Sequence, residues 1–221
     1  MLYIISTPIG NLEDITLRAL KTLNKADLIL AEDTRKARIL LGRYKVKRPT
    51  LSFYDYNKEK RIKRILSLLK DNKEIALISE AGTPGVSDPA YFLVKHCIKE
   101  NIPYTALPGP TAAINALILS GLPTDRFMFI GFLPPKKIKR QRLFQELLGV
   151  KATLVFFESR YKIIKTVSDM CRFFGKKEAA LVREMTKMHE EIMRAPLEVI
   201  YERMQKNTAK GEYVIVIDNR S

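Results

Sequence analysis

An apolar run at residues 75–78 ends in a stretch rich in glycine and proline, residues 79–89, and a helical pattern begins at Ala90. A strand, a loop and a helix in this order are typical of α/β proteins, whose parallel strands open at their carboxyl ends into ligand-binding loops. Asp88 is predicted to cap the helix and Pro89 to occupy its first position. The segment therefore predicts a ligand-binding loop at the edge of a parallel sheet.

The same alternation runs through the first half of the chain. Amphipathic helical patterns separate apolar runs near residues 2–6, 28–31, 50–53, 75–78 and 104–107. Strands that alternate with helices imply right-handed crossovers and a mainly parallel sheet. We predict an α/β fold whose N-terminal domain, residues 1–119, has a mainly parallel sheet with helices on both faces.

The pattern changes after a linker-like segment at residues 121–124. Strand-like segments follow at residues 127–132, 153–157, 179–183, 191–194 and 213–218, and helical patterns separate only some of them. A sheet built from such segments combines parallel and antiparallel neighbours. We predict a second α/β domain, residues 120–221, with a mixed sheet.

Composition narrows the class of protein. The 221 residues are 46% hydrophobic and 29% charged, which is typical of a folded soluble protein. No apolar run could span a bilayer, and residues 1–5 lack the basic start of a signal peptide, so we expect a cytosolic location. Cys97 and Cys171 lie on helical patterns without metal-ligand spacing, so we expect reduced thiols and no metal site.

The net charge of +15 indicates an anionic partner. Basic clusters occur at residues 35–38, 43–48, 58–64 and 136–142. A dispersed positive field favours a polyanion, of which RNA and DNA are the commonest. The alternative is a set of solvated faces that carry surplus lysine.

Three strand-exit loops, residues 7–11, 79–89 and 108–111, are rich in glycine and proline. In a parallel sheet they lie at one edge, where they could line one crevice, although any α/β protein needs turn residues there. The chain has neither a GxxxxGK[ST] motif nor a GxGxxG motif, which weighs against a P-loop NTPase and a dinucleotide fold. No GxSxG elbow is present, so a serine hydrolase is disfavoured.

Seven motifs in order carry a resemblance to a known family. They are TPIGNL at 7–12, AEDTR at 31–35, SEAGTP at 79–84 with DP at 88–89, LPGP at 107–110, GFLP at 131–134, REMTK at 183–187 and GE at 211–212. This series, which covers nearly the whole chain, resembles the bacterial small-subunit ribosomal RNA cytidine 2′-O-ribose methyltransferases of the tetrapyrrole-methylase (class III) superfamily.

The resemblance implies a homodimer of two-domain chains that bind S-adenosylmethionine in the cleft between the domains. It implies an enzyme that transfers a methyl group to a ribose 2′-hydroxyl of ribosomal RNA. The positions that match the family's cofactor contacts are Pro8, Ile9, Gly82, Thr83, Pro84, Val86, Thr111, Ala112, Phe157, Met185 and Gly211.

Methyl transfer to a weakly acidic hydroxyl benefits from a positioned base or a nearby cation. Candidates for this catalytic role are Glu184, Lys187 and Asp33, with Glu32 as a further candidate. Without the resemblance, residues 183–187 are better explained as an ordinary salt-bridged strand end. Predicted RNA contacts, through stacking tyrosines and basic side chains, are Glu32, Arg35, Tyr54, Tyr56, Lys136, Lys137 and Arg140. Solvated helix faces and half-buried tyrosines are the alternative.

The chain departs from the family pattern at three places. Glu80 stands where the family usually has aspartate, and Tyr54 and Tyr56 stand where it usually has histidines. Many members continue into a small helical extension, whereas this sequence stops at Ser221. Two alternatives remain open: a methylase of a tetrapyrrole or another small acceptor, and a non-catalytic RNA-binding factor of ribosome assembly.

Overall fold

A computed structural model describes residues 1–86, 90–206 and 209–220. The predicted helix cap at Asp88 and Pro89 lies outside the described residues. The chain divides into two compact units, Met1–Thr111 and Ala112–Ser221. The sequence had suggested a division after residue 119, but the helix at 112–120 contacts the sheet of the second unit.

The first unit contains five strands and four α-helices among its described residues, besides a 3-10 helix at Leu12–Asp14. They are β1 (Leu2–Ile5), α1 (Leu17–Lys25), β2 (Leu28–Ala31), α2 (Thr34–Arg43), β3 (Thr50–Ser52), α3 (Lys58–Lys70), β4 (Ile75–Ile78), α4 (Ala90–Lys99) and β5 (Tyr104–Leu107). The strands form one sheet in the order β3-β2-β4-β1-β5, and every neighbouring pair is parallel.

Alternation of side chains along the strands builds a core on each face of this sheet. Ile5 and Ile29 pack with α1 and α2 on one face, whereas Leu2 and Leu30 pack with α3 and α4 on the other. Because successive side chains of a strand point to opposite faces, strands that are apolar throughout must be covered on both. The central strands β1, β2 and β4 are thus buried between two helical layers, whereas edge strand β5 keeps Tyr104 and Ala106 exposed.

The second unit places a mixed sheet between α5 and three further helices. Its elements are α5 (Ala112–Ser120), β6 (Phe127–Phe132), α6 (Lys137–Leu147), β7 (Thr153–Ser159), α7 (Ile163–Phe174), β8 (Glu178–Arg183), β9 (Glu191–Pro196), α8 (Leu197–Gln205) and β10 (Glu212–Asp218). The order is β6-β7-β10-β8-β9, with β6 parallel to β7 and the other pairs antiparallel.

Periodicity in α7 fixes how that helix sits on the second sheet. Its buried apolar residues recur at three- and four-residue spacing, and they pack with Leu154 and Phe156 of β7 in one core: Ile163, Val167, Met170 and Phe174. That stripe faces the sheet, so the remaining positions of α7 face away from it. The predicted fold class, two α/β domains with a parallel and a mixed sheet, is confirmed.

Candidate active site

The loops after β1 and β4 are joined by a short antiparallel bridge. The Thr7 N–H donates to the Gly82 carbonyl at 2.9 Å, and the Gly82 N–H donates to the Thr7 carbonyl at 3.0 Å. Thr7 Oγ1 also donates to the Ser79 carbonyl at 3.3 Å. These bonds fix the central glycine-rich loop against the exit of the neighbouring strand.

Two hydroxyls tie the loop after β5 to the other two. Ser6 Oγ and Thr83 Oγ1 lie 2.9 Å apart. Ser6 Oγ is 3.3 Å from the Leu107 carbonyl, and Thr83 Oγ1 is 3.2 Å from the Pro110 carbonyl. The three loops therefore meet at one edge of the sheet, as the parallel arrangement predicts.

Gly109 makes this close approach possible. A Cβ at position 109 would lie 2.7 Å from the Ser6 Cβ, a distance that real side chains do not tolerate. Any larger residue would push the loop after β5 away from β1, so the glycine is needed for packing between loops.

The predicted cofactor positions of the first unit surround this junction. Pro8, Ile9, Gly82 and Pro84 are buried, Thr83 and Thr111 are half-buried, and Val86 is exposed. Ala112 opens α5 and is grouped with the second unit.

Glu80, the longer residue at the family's aspartate position, is paired with a neighbouring helix. Its carboxylate accepts a hydrogen bond from Lys36 Nζ of α2. The two opposite charges compensate each other beside the loop.

Asp33 has a structural task at the exit of β2. It caps α2 by accepting from the Arg35 N–H at 2.8 Å, and its carboxylate also accepts from Arg35 Nε and Nη2 at 3.1 and 2.8 Å. Hydrogen bonds from the Arg35 side chain and backbone hold the pKa of Asp33 well below its ordinary value. A carboxylate held ionised in this way is a weak proton acceptor, so Asp33 is poorly suited as a general base. Glu32, beside it, is exposed.

Aromatic side chains follow β3. The rings of Tyr54 and Tyr56 lie 6.2 Å apart in an edge-to-face arrangement, and Tyr56 is 95% exposed. Asn57 accepts from the Tyr54 N–H at 2.9 Å and so fixes the turn that carries them. Their exposure leaves ring faces open for stacking.

In the second unit, the turn after β8 brings Glu184 and Lys187 together. Lys187 Nζ donates to Glu184 Oε1 and to Glu212 Oε2, each at 2.9 Å. Glu184 Oε1 also accepts from the Glu212 N–H at 2.9 Å, and the Glu184 N–H donates to the Glu212 carbonyl at 3.0 Å. The sequence pattern pointed to Glu184 and Lys187, and it included Glu212 only in the GE motif, without indicating that Glu212 is their shared partner.

The local environment keeps both groups charged at neutral pH. Burial raises the pKa of Glu184, but hydrogen bonds from Lys187 and from the Glu212 N–H outweigh it and leave that pKa below its ordinary value. Burial lowers the pKa of Lys187, but its bonds to Glu212 and Glu184 leave that pKa raised. The turn therefore presents a fixed carboxylate and a fixed ammonium.

The other predicted cofactor positions of this unit have different surroundings. Gly211 adopts a positive φ of 86° and lies against Glu184, while Met185 is buried. Phe157 of β7 packs edge-to-face against Phe129 and Phe132, with ring centroids 4.9 and 5.5 Å away.

Arg140 corrects the predicted RNA surface. It is 5% exposed, and its Nε and Nη2 donate to Asp169 Oδ2 at 3.1 and 2.5 Å. A guanidinium held in this way supports α6 on α7, and its charge is taken up by Asp169, so it is not the exposed RNA contact that the sequence predicted. Lys136 and Lys137, at the start of α6, are exposed as predicted.

The described residues contain neither a cluster of potential metal ligands nor a membrane-spanning helix. Within residues 1–86, 90–206 and 209–220, no group of three or more histidine, cysteine, aspartate or glutamate side chains is arranged to hold a metal ion. No helix in the same ranges has the length and apolar character needed to cross a bilayer. Cys97 and Cys171 are free thiols.

Comparisons with known proteins agree with this architecture. Residues 1–200 match the family model described as Tetrapyrrole (Corrin/Porphyrin) Methylases. The chain belongs to this family of α/β methylases, and the family predicted from the motifs is confirmed.

Relatives within this family share one name. It is 46% identical over 219 residues to "Ribosomal RNA small subunit methyltransferase I" of Thermotoga maritima, with 99% of this chain and 98% of that protein covered. It is 44% identical to the protein of the same name in Halalkalibacterium halodurans, with 98% and 75% covered.

Solved structures share the fold at low sequence identity. A diphthine synthase superposes with a TM-score of 0.76 at 14% identity, covering 98% of this chain and 88% of that one. The uroporphyrin-III-C-methyltransferase from Thermus thermophilus superposes with a TM-score of 0.67 at 18% identity, covering 99% and 94%. At these identities the likeness concerns the fold alone.

Proposed function

We propose that the chain is an S-adenosylmethionine-dependent methyltransferase that methylates the ribose 2′-hydroxyl of a cytidine in small-subunit ribosomal RNA. The hydrogen-bonded junction of the loops after β1, β4 and β5 carries the proposal, because it forms a ligand-binding edge in a chain of this family. The names of its relatives support the RNA substrate.

The residues at the junction fit the cofactor chemically. Pro8, Ile9 and Pro84 are buried apolar neighbours, and the loops add backbone polar groups. Lys36 and Glu80 compensate each other, so the loop offers no excess positive charge against a sulfonium. Bound S-adenosylmethionine would supply an activated methyl group, which leaves the protein to orient the acceptor and exclude water. Phe157, Met185 and Gly211 remain predicted contacts.

Within this proposal, Lys187 provides a fixed N–H donor and Glu184 positions it. Both stay ionised at neutral pH, so neither matches a base with a pKa near the working pH. Two of the three ammonium donors of Lys187 are engaged by carboxylates, and the third would donate to the ribose oxygen while the O–CH3 bond forms and the hydroxyl proton passes to water. Glu212 holds the lysine from its other side.

The RNA would be held through exposed aromatic and basic residues. Tyr54 and Tyr56 offer faces on which an unpaired base can stack. Lys136 and Lys137 are exposed cations for phosphate contacts. Arg35 adds an exposed guanidinium beside Glu32, although Asp33 compensates its charge.

Calorimetry with S-adenosylmethionine tests the cofactor half of the proposal. We expect binding with a dissociation constant in the micromolar range, and a control titration with adenosine alone should bind more weakly. If no heat of binding is measured at high micromolar cofactor, the proposed enzymatic function is wrong. A non-catalytic factor of ribosome assembly would then be favoured.

Nucleoside mass spectrometry of small-subunit ribosomal RNA tests the substrate. Cells that lack the gene should lose 2′-O-methylcytidine, and the wild-type gene should restore it while a Lys187→Met variant restores less. An unchanged level in the deletion strain, together with cofactor binding in vitro, would favour a tetrapyrrole or another small acceptor.

We also propose a cytosolic homodimer. Edge strand β6 exposes the apolar side chains of Phe127, Met128 and Phe132, which supports packing against a second copy. Analytical ultracentrifugation should find twice the chain mass, and Met128→Glu should shift the mass to that of one chain. A single-chain mass for the wild type would contradict the dimer, and cell fractionation checks the compartment.

A further inference from the structure

A basic cavity of about 510 Å³ lies among α6, α7 and α8 of the second unit. Lys137, Lys162, Lys165 and Arg172 line it. Within the described part of the chain, none of these four side chains is in an ion pair. Their charges are therefore available to a ligand.

The acidic lining residue does not offset this charge. Asp169 is held by Arg140 and by Gln141, whose Nε2 donates to its Oδ1 at 3.2 Å. The Arg140–Asp169 pair is neutral as a unit and forms part of the cavity wall. The cavity as a whole keeps an excess of four positive charges.

The length of the cation row indicates what fits it. The apolar stripe of α7 faces the sheet, which leaves Lys165 and Arg172 on the cavity side. Seven residues of α-helix span about 10 Å along the axis. A row of cations of this length is long enough to contact successive phosphates of a nucleic acid strand.

An aromatic platform borders the cations. Tyr161 is 77% exposed, and the Arg160 guanidinium lies 4.7 Å from its ring centroid. Tyr201 contributes to the wall. Exposed aromatic rings beside arginine are the surfaces on which unpaired bases stack.

We propose that this cavity binds the sugar–phosphate backbone of an unpaired segment of the RNA substrate. It adds Lys162, Lys165, Arg172 and Tyr161 to the RNA contacts named above. The proposal rests on the proposed function, because it takes ribosomal RNA as the substrate.

The test compares two double variants of the full chain. Lys165→Gln with Arg172→Gln removes two cavity charges, whereas Lys151→Gln with Lys176→Gln removes two exposed charges of the same unit outside the cavity. Binding to fluorescein-labelled small-subunit ribosomal RNA is followed by anisotropy between about 50 and 200 mM salt. Calorimetry with S-adenosylmethionine reports whether each variant is folded and binds cofactor.

We expect the cavity variant to bind RNA at least about tenfold more weakly than the wild type. The salt slope, which is the slope of log binding constant against log salt concentration, should fall in magnitude by about 1.4 to 1.8. The control variant should stay within about twofold of the wild type, and both should bind the cofactor normally. Tyr161→Ala should weaken RNA binding without changing the salt slope.

If the wild type binds RNA and the two double variants bind it with equal affinity, the cavity proposal is overturned, whereas the proposed function is not. The proposal is also overturned if inorganic tripolyphosphate binds the cavity while RNA affinity does not depend on the cavity charges. In that case the ligand of the cavity would be a small phosphoanion. A wild type that binds the cofactor but no ribosomal RNA would overturn both this proposal and the RNA substrate.

Discussion

Gly211 and Glu184 are packed so closely that a Cβ at position 211 would lie 2.6 Å from Glu184 Oε1. The positive φ of Gly211, 86°, independently favours glycine at this position. The backbone of one turn thus holds the carboxylate of another in contact with Lys187.

We expect Gly211→Ala to lower the free energy of unfolding by about 2 to 4 kcal/mol, because it strains the backbone and displaces the Glu184 carboxylate from its hydrogen bonds. Urea denaturation measures the change. Gly149→Ala, where the structure leaves open space, is the matched control and should stay within about 0.5 kcal/mol. In a Glu184→Ala background the Gly211→Ala change should cost less, and strict additivity would contradict the packing argument.

Removing Arg140 should destabilise the fold. Arg140→Met leaves Asp169 as an unpaired carboxylate with a side chain only 7% exposed, for which a loss of about 3 to 5 kcal/mol is expected. Lys139→Met, at an exposed neighbouring position of α6, is the control and should be nearly neutral. Arg140→Met combined with Asp169→Leu should regain much of the loss, and no recovery would indicate that packing, not charge, dominates there.

The stability contributed by Glu184 should depend on pH in one direction. Its folded-state pKa is below the reference of 4.5, so its contribution is present above pH 4.5 and is lost as pH falls through the folded-state pKa. Urea midpoints of the wild type and Glu184→Gln should therefore differ near neutrality and converge in acid. Glu178→Gln, an exposed change at the other end of β8, is the control for the loss of one carboxylate from the same strand.

The raised pKa of Lys187 predicts that its contribution to stability is lost on the alkaline side. Its contribution is complete below pH 10.5 and is lost as pH rises through the folded-state pKa. Lys187→Met should therefore lose its difference from the wild type in strong alkali. A difference that persists there would show that the lysine stabilises through packing.

Thiol chemistry provides a further prediction. Burial raises the pKa of Cys97 to about 11, and the side chain is 0% exposed. Because the chain has two cysteines, Cys171→Ser leaves Cys97 as the single thiol. It should react with a disulfide reagent at pH 8 only as fast as the protein opens, whereas unfolded protein reacts at once. Cys97→Ser is the control and should react faster in the native state, since Cys171 is less buried.

Glu80→Asp tests the departure from the family pattern. The shorter side chain should lose its contact with Lys36, and because the pair is partly exposed the free energy of unfolding should fall by less than about 1 kcal/mol. Lys36→Met should have a similar effect. Cofactor affinity by calorimetry should stay within about twofold, since the Thr7–Gly82 hydrogen bonds hold the loop, and a larger change would show that Glu80 shapes the cofactor site.

The part of the site that depends on the alternation of strands and helices could be predicted from the sequence. Parallel strands end at one edge, so the meeting of the loops after β1, β4 and β5 followed from the alternation of strands and helices. The Ser6–Thr83 contact did not follow, although the polar pair Ser6-Thr7 at a strand end and the small Gly109 opposite were available as signals.

Arg140 shows where the sequence was insufficient. It stands in a uniformly basic run with Lys136 and Lys137, and only its partner Asp169, which is 29 residues away in another helix, distinguishes it. Whether one charge in such a run is exposed depends on tertiary contacts that no local pattern contains. The same applies to Glu212, because its partners Glu184 and Lys187 lie in a turn that is distant from it in the sequence.

The hydrogen bonds between Ser6, Thr7, Gly82, Thr83 and the carbonyls after β5 have a consequence for how this edge can be altered. Because each loop is held by the other two, much of their ordering entropy is lost when the chain folds and not when a ligand arrives. Substitutions in different loops should then be strongly non-additive in their effect on ligand affinity. Anyone who redesigns this protein for another cofactor must treat the three loops as one unit.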